Sequence, residues 1–333
     1  MTEFRLLQIE PTTRCNFTCG FCIGRHMAQV DVDYVTVDRA ISMFPEIRAV
    51  ELQGEGEPLL NKRFFEIADR VASQGAHLSM ITNGSLLNTE RVNQLLARPF
   101  ERIGISLESS NDQTFEEIRG GHFAKVAAGI RTLKDARDRK GTKLPVIGLN
   151  VTVLRQTVTH LVGIIDLYRE LGLDGGISFQ ALQDMPSYVA WYSTPLREEL
   201  LSQHDKFWVT QAMARVANDR SLDKSGANVG FYARLFSGLA ARPKVCPWLT
   251  DGGYLSATGE MMPCCHIKNA RYSFGNVKNA DRETLLERRH AMAQQFENGT
   301  APEPCAGCWV LPFLAGSQIK APISESANTG PMH

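Results

Sequence analysis

Between Phe4 and Ala181, strand-like and helix-like segments alternate about six times, and this alternation limits the fold more than any other property of the sequence. Phe4–Glu10, Ala49–Leu52, His77–Thr82, Arg102–Leu107, Pro145–Val153 and Gly176–Ala181 read as strands. Between them, Thr36–Phe44, Lys62–Gln74, Asn88–Ala97, Gln113–Lys140 and Val158–Leu171 read as helices; Lys62–Gln74, for example, has Phe64, Phe65, Ile67, Ala68 and Val71 at apolar positions. Such alternation builds an α/β fold, a parallel sheet covered by helices, and its ligand sites form at the carboxyl ends of the strands.

The chemistry-bearing residues fall at those ends. Cys15, Cys19 and Cys22 occupy the loop after the first strand, Gln53–Pro58 follows the second, Asn83-Gly84 the third and Glu108 the fourth. Three thiolates in one loop can hold three irons of a four-iron cube and leave the fourth open to a small molecule. The eight cysteines divide into three at 15–22 and five at 246–308, with none between. Lys+Arg and Asp+Glu both total 36, so no basic footprint for nucleic acid or an anionic membrane shows. No signal peptide is expected, since the start lacks an apolar core, and no stretch approaches the roughly 20 apolar residues of a spanning helix. The expected location is the cytoplasm, where cysteines serve as metal ligands more often than as disulfides. Zinc is the alternative to iron and sulfur. His26 offers a fourth ligand to the first group, and the Cys305-x2-Cys308 ending of the second matches a zinc ribbon, so spacing alone does not separate the metals.

The run Cys15-x3-Cys19-x2-Cys22, with Phe21 before the last cysteine, closely resembles the signature of radical S-adenosylmethionine (SAM) enzymes. The resemblance implies a partial (β/α)6 TIM-like barrel and a 4Fe-4S cluster whose open iron chelates SAM. One electron then cleaves SAM to a 5′-deoxyadenosyl radical that abstracts a substrate hydrogen. Gly56-Glu57-Pro58 resembles the end of the Gly-Gly-Glu-Pro motif that holds the SAM ammonium; Glu55 stands where that motif has its first Gly. By the same resemblance Asn83, Ser106, Glu108, Arg119 and Asn150 are candidate SAM contacts, Asn150 on condition that Gly148 and Thr152 share its inward face. Cys246, Cys264, Cys305 and Cys308 resemble the auxiliary-cluster region called SPASM, or its one-cluster form called twitch, and are expected to ligate a second 4Fe-4S cluster. Cys265 is left over, as an inert thiol, a replacement ligand or a hydrogen-atom donor.

The expected organisation is a barrel over 1–183, a helical bridge over 184–245, a small C-terminal auxiliary-cluster domain over 246–312 and a frayed tail over 313–333. The bridge aromatics Trp191, Tyr192 and Trp208, with Trp248, are expected to pack a core or seam. The reading is a radical SAM oxidoreductase that dehydrogenates a polar small molecule such as a carbohydrate or cyclitol, the arrangement of the aminocyclitol dehydrogenases. Epimerisation and modification of a ribosomal peptide are rivals. With the first strand at Phe4, the leader-binding domain that many peptide modifiers carry ahead of the barrel is not expected. A non-catalytic zinc or electron-transfer module is the alternative of another class. An external one-electron reductant such as flavodoxin or ferredoxin is the implied partner.

Overall fold

The computed structural model describes residues 3–315. Six parallel strands form first: β1 (Leu6–Ile9), β2 (Ala49–Leu52), β3 (His77–Thr82), β4 (Phe100–Ser106), β5 (Val146–Val153) and β6 (Ile177–Ala181). Their crossovers carry α1 (Tyr34–Met43), α2 (Phe64–Ser73), α3 (Thr89–Leu96), α4 (Asp112–Arg119), α5 (Phe123–Arg139) and α6 (Leu161–Glu170). This is the expected partial barrel. Side-chain caps fix several helix starts: Asp33 accepts from the Thr36 amide, Asn88 from Arg91 and Asn111 from Thr114. The helices expected across Gln113–Lys140 are α4 and α5, which separate where Gly120 turns left-handed (φ 64°) and ends α4.

The C-terminal part does not stand apart from this sheet. After α7 (Pro186–Val189), α8 (Thr194–Glu198), α9 (Gln203–Asn218), α10 (Phe231–Leu235) and α11 (Pro247–Thr250), strand β7 (Gly252–Leu255) pairs parallel with β1. The expected hairpin follows as β8 (Glu260–Met262), and β9 (Gly275–Asn276) and α12 (Arg282–Glu297) close the domain. One nine-stranded sheet, ordered β6-β5-β4-β3-β2-β1-β7-β8-β9, thus carries the first cysteine loop after β1 and Cys264 just past β8. That explains why every residue of β1 is buried, since the strand has a partner on each side.

On the inner face, Gln8, Glu51, Ser79 and Arg102 are register neighbours on β1 to β4. The bridge crosses this face. Gly230 (φ 107°) lies so close to Arg102 that a Cβ there would come within 2.9 Å of its Cδ, and the Tyr232 hydroxyl donates to Gln8 Oε1 (3.0 Å) or Gln53 Oε1 (2.8 Å). Part of the bridge is therefore a plug in the barrel. Trp248 and Tyr192 are buried as expected, whereas Trp208 is 50% exposed. Its position on the outer side of α9 corrects the expectation that it packs a seam. No helix among the described residues is long and apolar enough to cross a membrane.

Glu51 accepts from Ser79 Oγ at 2.6 Å, but its second oxygen is buried without a partner. Burial pushes its carboxyl up to about 7, against the opposing effects of Ser79 and Arg102. A carboxyl raised on folding binds its proton more tightly in the folded chain, so its ionisation destabilises the fold as pH rises from the unfolded value through 7. Glu51→Gln is expected to raise stability by roughly 1–3 kcal/mol at pH 8 and by almost nothing near pH 4. Urea unfolding at the two pH values checks this; an equal gain at both would show that Glu51 titrates normally.

Candidate active site between two cysteine groups

The cysteine loop leaves β1 and is tied back at its base. Thr13 Oγ1 donates to Ala28 O at 2.6 Å, Thr12 Oγ1 donates to Val30 O at 3.0 Å, and Arg14 forms an ion pair with Asp31. The strand-two motif packs directly on this loop. The Gly56 amide donates to Thr12 O (3.1 Å) and the Glu57 amide to Arg14 O (2.9 Å). A Cβ on Gly56 would fall 2.4 Å from the carbonyl oxygens of both Thr12 and Arg14, so only glycine permits this approach.

Several expected cofactor contacts have partners within the protein. Glu57, 1% exposed, accepts from Thr82 Oγ1 (2.7 Å), the Asn83 amide (2.7 Å) and the Leu59 amide (3.2 Å), which joins the ends of β2 and β3. Asn83 Nδ2 donates to Asn16 Oδ1 at 3.0 Å and faces Cys15 Sγ at 3.8 Å. Glu108 and Arg119 form a buried two-bond pair; one bond, Nη2 to Oε1, measures 2.6 Å. The Arg119 guanidinium lies 5.8 Å from the Phe21 ring, and its carbonyl accepts from the Thr18 amide at 2.9 Å. Arg119 thus braces the cysteine loop from behind. Ser106 and Asn150 are register partners that stay partly exposed, and Arg102 reaches Asn150 Oδ1 at 3.4 Å, which places Asn150 on the inner face.

Burial raises the thiol pKa values of Cys15, Cys19 and Cys22; the charge of Glu55 adds to the effect on Cys22, and the neighbouring cysteines raise Cys19 and Cys22 further. In the second group, burial raises Cys264 strongly, and Cys265, Cys305, Cys308 and Cys246 all add to it electrostatically, so these thiols share one locality. Cys246 is pushed up to about 12 by burial first. Crowded thiols held protonated by their surroundings lose those protons to a soft metal centre. Among the described residues, no three His, Cys, Asp or Glu side chains converge on a single metal ion. The soft thiolates of both groups are the ligands that iron–sulfur clusters take.

A buried network unforeseen in the sequence joins the two groups. Lys268, with its side chain 4% exposed, pairs with Glu55 at 2.8 Å. Glu10 accepts from the amides of Glu55 (2.9 Å) and Ala257 (3.1 Å). The available signal was Glu55 itself, a charge in a glycine position that needs a buried partner. Cys265 lies beside this network: burial pushes its thiol up to about 12, against the effect of Lys268, and the Tyr232 hydroxyl is within hydrogen-bonding reach. Above it, Ile23 of the cysteine loop packs with Leu182, Met185, Tyr188 and Tyr192, and Cys308 borders the same apolar cluster. The start of the bridge therefore covers the space between the two cysteine groups.

The Radical SAM superfamily profile matches residues 9–174, and the SPASM profile, an iron–sulfur cluster-binding domain, matches 246–309. The AdoMet-dependent heme synthase of Methanosarcina barkeri is 30% identical over 95% of this chain and 92% of its own length. PqqA peptide cyclase of Granulibacter bethesdensis is 23% identical over 91% of this chain and 79% of its own. Among solved structures, anSMEcpe with bound AdoMet superposes with a TM-score of 0.67 at 16% identity, covering 87% of this chain and 83% of that one. Streptococcus suis SuiB bound to S-adenosylmethionine gives 0.59 at 14%, covering 79% of this chain and 60% of that one. The cofactors of the chain are S-adenosylmethionine, a SAM-binding 4Fe-4S cluster and an auxiliary cluster. With that loop, that barrel and that second cysteine group, the chain belongs to the radical SAM superfamily and carries a SPASM iron–sulfur domain.

Proposed function

We propose that the chain catalyses a net two-electron oxidation of an organic substrate held between the two cysteine groups. Cys15, Cys19 and Cys22 hold the SAM-binding cluster, and Cys246, Cys264, Cys305 and Cys308 hold the auxiliary one. When bound, the first cluster and SAM supply a 5′-deoxyadenosyl radical and the second supplies an electron sink. The observation that carries the reading is the iron–sulfur cluster-binding profile over 246–309, which spans Cys246, Cys264, Cys305 and Cys308. Four thiolates satisfy all four irons of a cube, which leaves no site for substrate ligation and favours electron uptake. Gly56 and the Glu57 network hold the backbone of 53–58 against the cysteine loop, where its carbonyls would receive the SAM ammonium. Ser106 and Asn150 supply polar contacts from the inner face. The Tyr188–Tyr192 segment keeps water from the radical.

The full-length similarity to a protein named heme synthase puts heme precursors first among substrates to try, followed by aminocyclitols. A second reading, peptide modification, is favoured by the similarity to PqqA peptide cyclase along most of both chains. The test is anaerobic turnover with dithionite in D2O. A product two hydrogens lighter than the substrate, formed with 5′-deoxyadenosine and unchanged in yield with Cys265→Ala, is the expected result. Deuterium at one carbon of an unoxidised product, lost with Cys265→Ala, would replace oxidation by epimerisation. SAM cleavage that only a peptide substrate stimulates would select the second reading.

A further inference from the structure

Glu55 is the position at which the chain departs from the Gly-Gly-Glu-Pro pattern, and its side chain turns back onto the cysteine loop. Cys22 Sγ lies 3.5 Å from its carbonyl oxygen and 3.6 Å from Oε2. The approach is close enough that a Cβ on Gly24 would fall 2.6 Å from Glu55 Cβ. With Cys22 ionised as a ligand, this carboxylate sets a further negative charge against the cluster. Its other oxygen, Oε1, pairs with Lys268 Nζ at 2.8 Å. Lys268 comes from the C-terminal domain, donates to the Tyr254 hydroxyl at 3.0 Å and lies 4.3 Å from that ring. The groups facing it are Glu55, Glu10, Tyr188, Tyr254, Cys265 and His266. Glu10 bonds to the amides on both sides, at Glu55 and Ala257, and holds the two segments in register.

Adding an electron to a cluster is opposed by a nearby anion and favoured by a nearby cation, and both effects grow in a buried setting. We propose that the Glu55–Lys268 pair sets the reduction potential of the Cys15–Cys19–Cys22 cluster, with Lys268 as the counter-charge that the C-terminal domain contributes. Seating that domain then makes the barrel cluster easier to reduce, which couples assembly of the second cysteine group to generation of the radical. Lys268 is a positioning residue in this scheme, because it acts on the cluster through Glu55. The inference rests on the assignment of the cluster to these three cysteines.

The test is an EPR-monitored redox titration of the reconstituted full-length chain, in which the barrel cluster is the reduced signal that changes on adding SAM. Lys268→Met is expected to lower its potential enough to cut the reduced-to-oxidised ratio at least tenfold at a fixed ambient potential, about 59 mV for a one-electron couple. Glu55→Gln is expected to raise it, the double variant to return near wild type, and Lys268→Arg to stay there. A packing role alone moves both single variants in one direction or neither, and either result overturns the proposal. Should Lys268→Met fail to load iron, the isosteric Glu55→Gln decides alone, and no upward shift overturns the proposal. A wild-type signal indifferent to SAM would end the cluster assignment and this inference with it; a responsive signal with unmoved potentials ends only the inference.

Discussion

Alanine at Cys15, Cys19 or Cys22 is expected to remove one cluster's iron and reduce SAM cleavage to the uncatalysed background, with the fold intact. The Cys15 residue keeps much of its surface in solvent while its thiol is partly enclosed, so its truncation leaves no closed cavity. Cys19 is buried, but losing one sulfur from a loop held by Thr12, Thr13, Arg14 and Gly56 falls within the ordinary range of about 1 kcal/mol for point changes. The effect on chemistry is far larger, because without a complete thiolate set the open iron that chelates SAM is not assembled. Iron content, far-UV circular dichroism and 5′-deoxyadenosine yield separate the two effects. The corresponding changes at Cys246, Cys264, Cys305 or Cys308 should leave SAM cleavage measurable and abolish the oxidised product. If Cys15→Ala keeps its full iron and still forms 5′-deoxyadenosine, the triplet is not the ligand set.

The two cysteine groups and the strand ends were legible because each depends on local sequence. A strand of a few residues followed by a motif places that motif at the sheet's carboxyl edge, and the structure finds Cys15–Cys22, Gln53–Pro58, Asn83 and Glu108 there. Strand alternation left the facing of Asn150 to the register, and its pairing with Ser106 and contact with Arg102 set it on the inner face. The pairing of β7 with β1 was not legible, since residues some 246 positions apart meet there (Leu6 with Gly252) and short apolar strands carry no label for their partner. The same holds for Tyr232, which reaches Gln8 and Gln53 across the barrel. Glu57, Glu108 and Arg119 were expected as cofactor contacts, but what each touches depends on burial. A charge sealed from water takes the nearest protein partner, so they act on the cysteine loop as its scaffold. Lys268 escaped notice for the opposite reason: lysine is ordinarily a surface residue, and only its position opposite Glu55 gives it a buried role.

That scaffold gives the other large effect, in stability. Glu108 is fully buried and Arg119 nearly so, and the two are joined by parallel bonds beneath the cysteine loop. Burial works against the charge on Arg119, yet Glu108 beside it holds the guanidinium above its ordinary range. Removing either partner strands the other charge in the interior, and breaking a buried pair in this way costs about 3–5 kcal/mol. Arg119→Met and Glu108→Gln are each expected to lose stability of that order in urea unfolding. The double variant, with no stranded charge, should recover a large part of the loss. A direct contact from either residue to SAM predicts something else: SAM affinity would fall in every variant, the double one included, however much stability returned. Unfolding and SAM binding measured on the same three proteins therefore distinguish a brace from a ligand. Recovery of both in the double variant is the result that the closed Glu108–Arg119 pair leads us to expect.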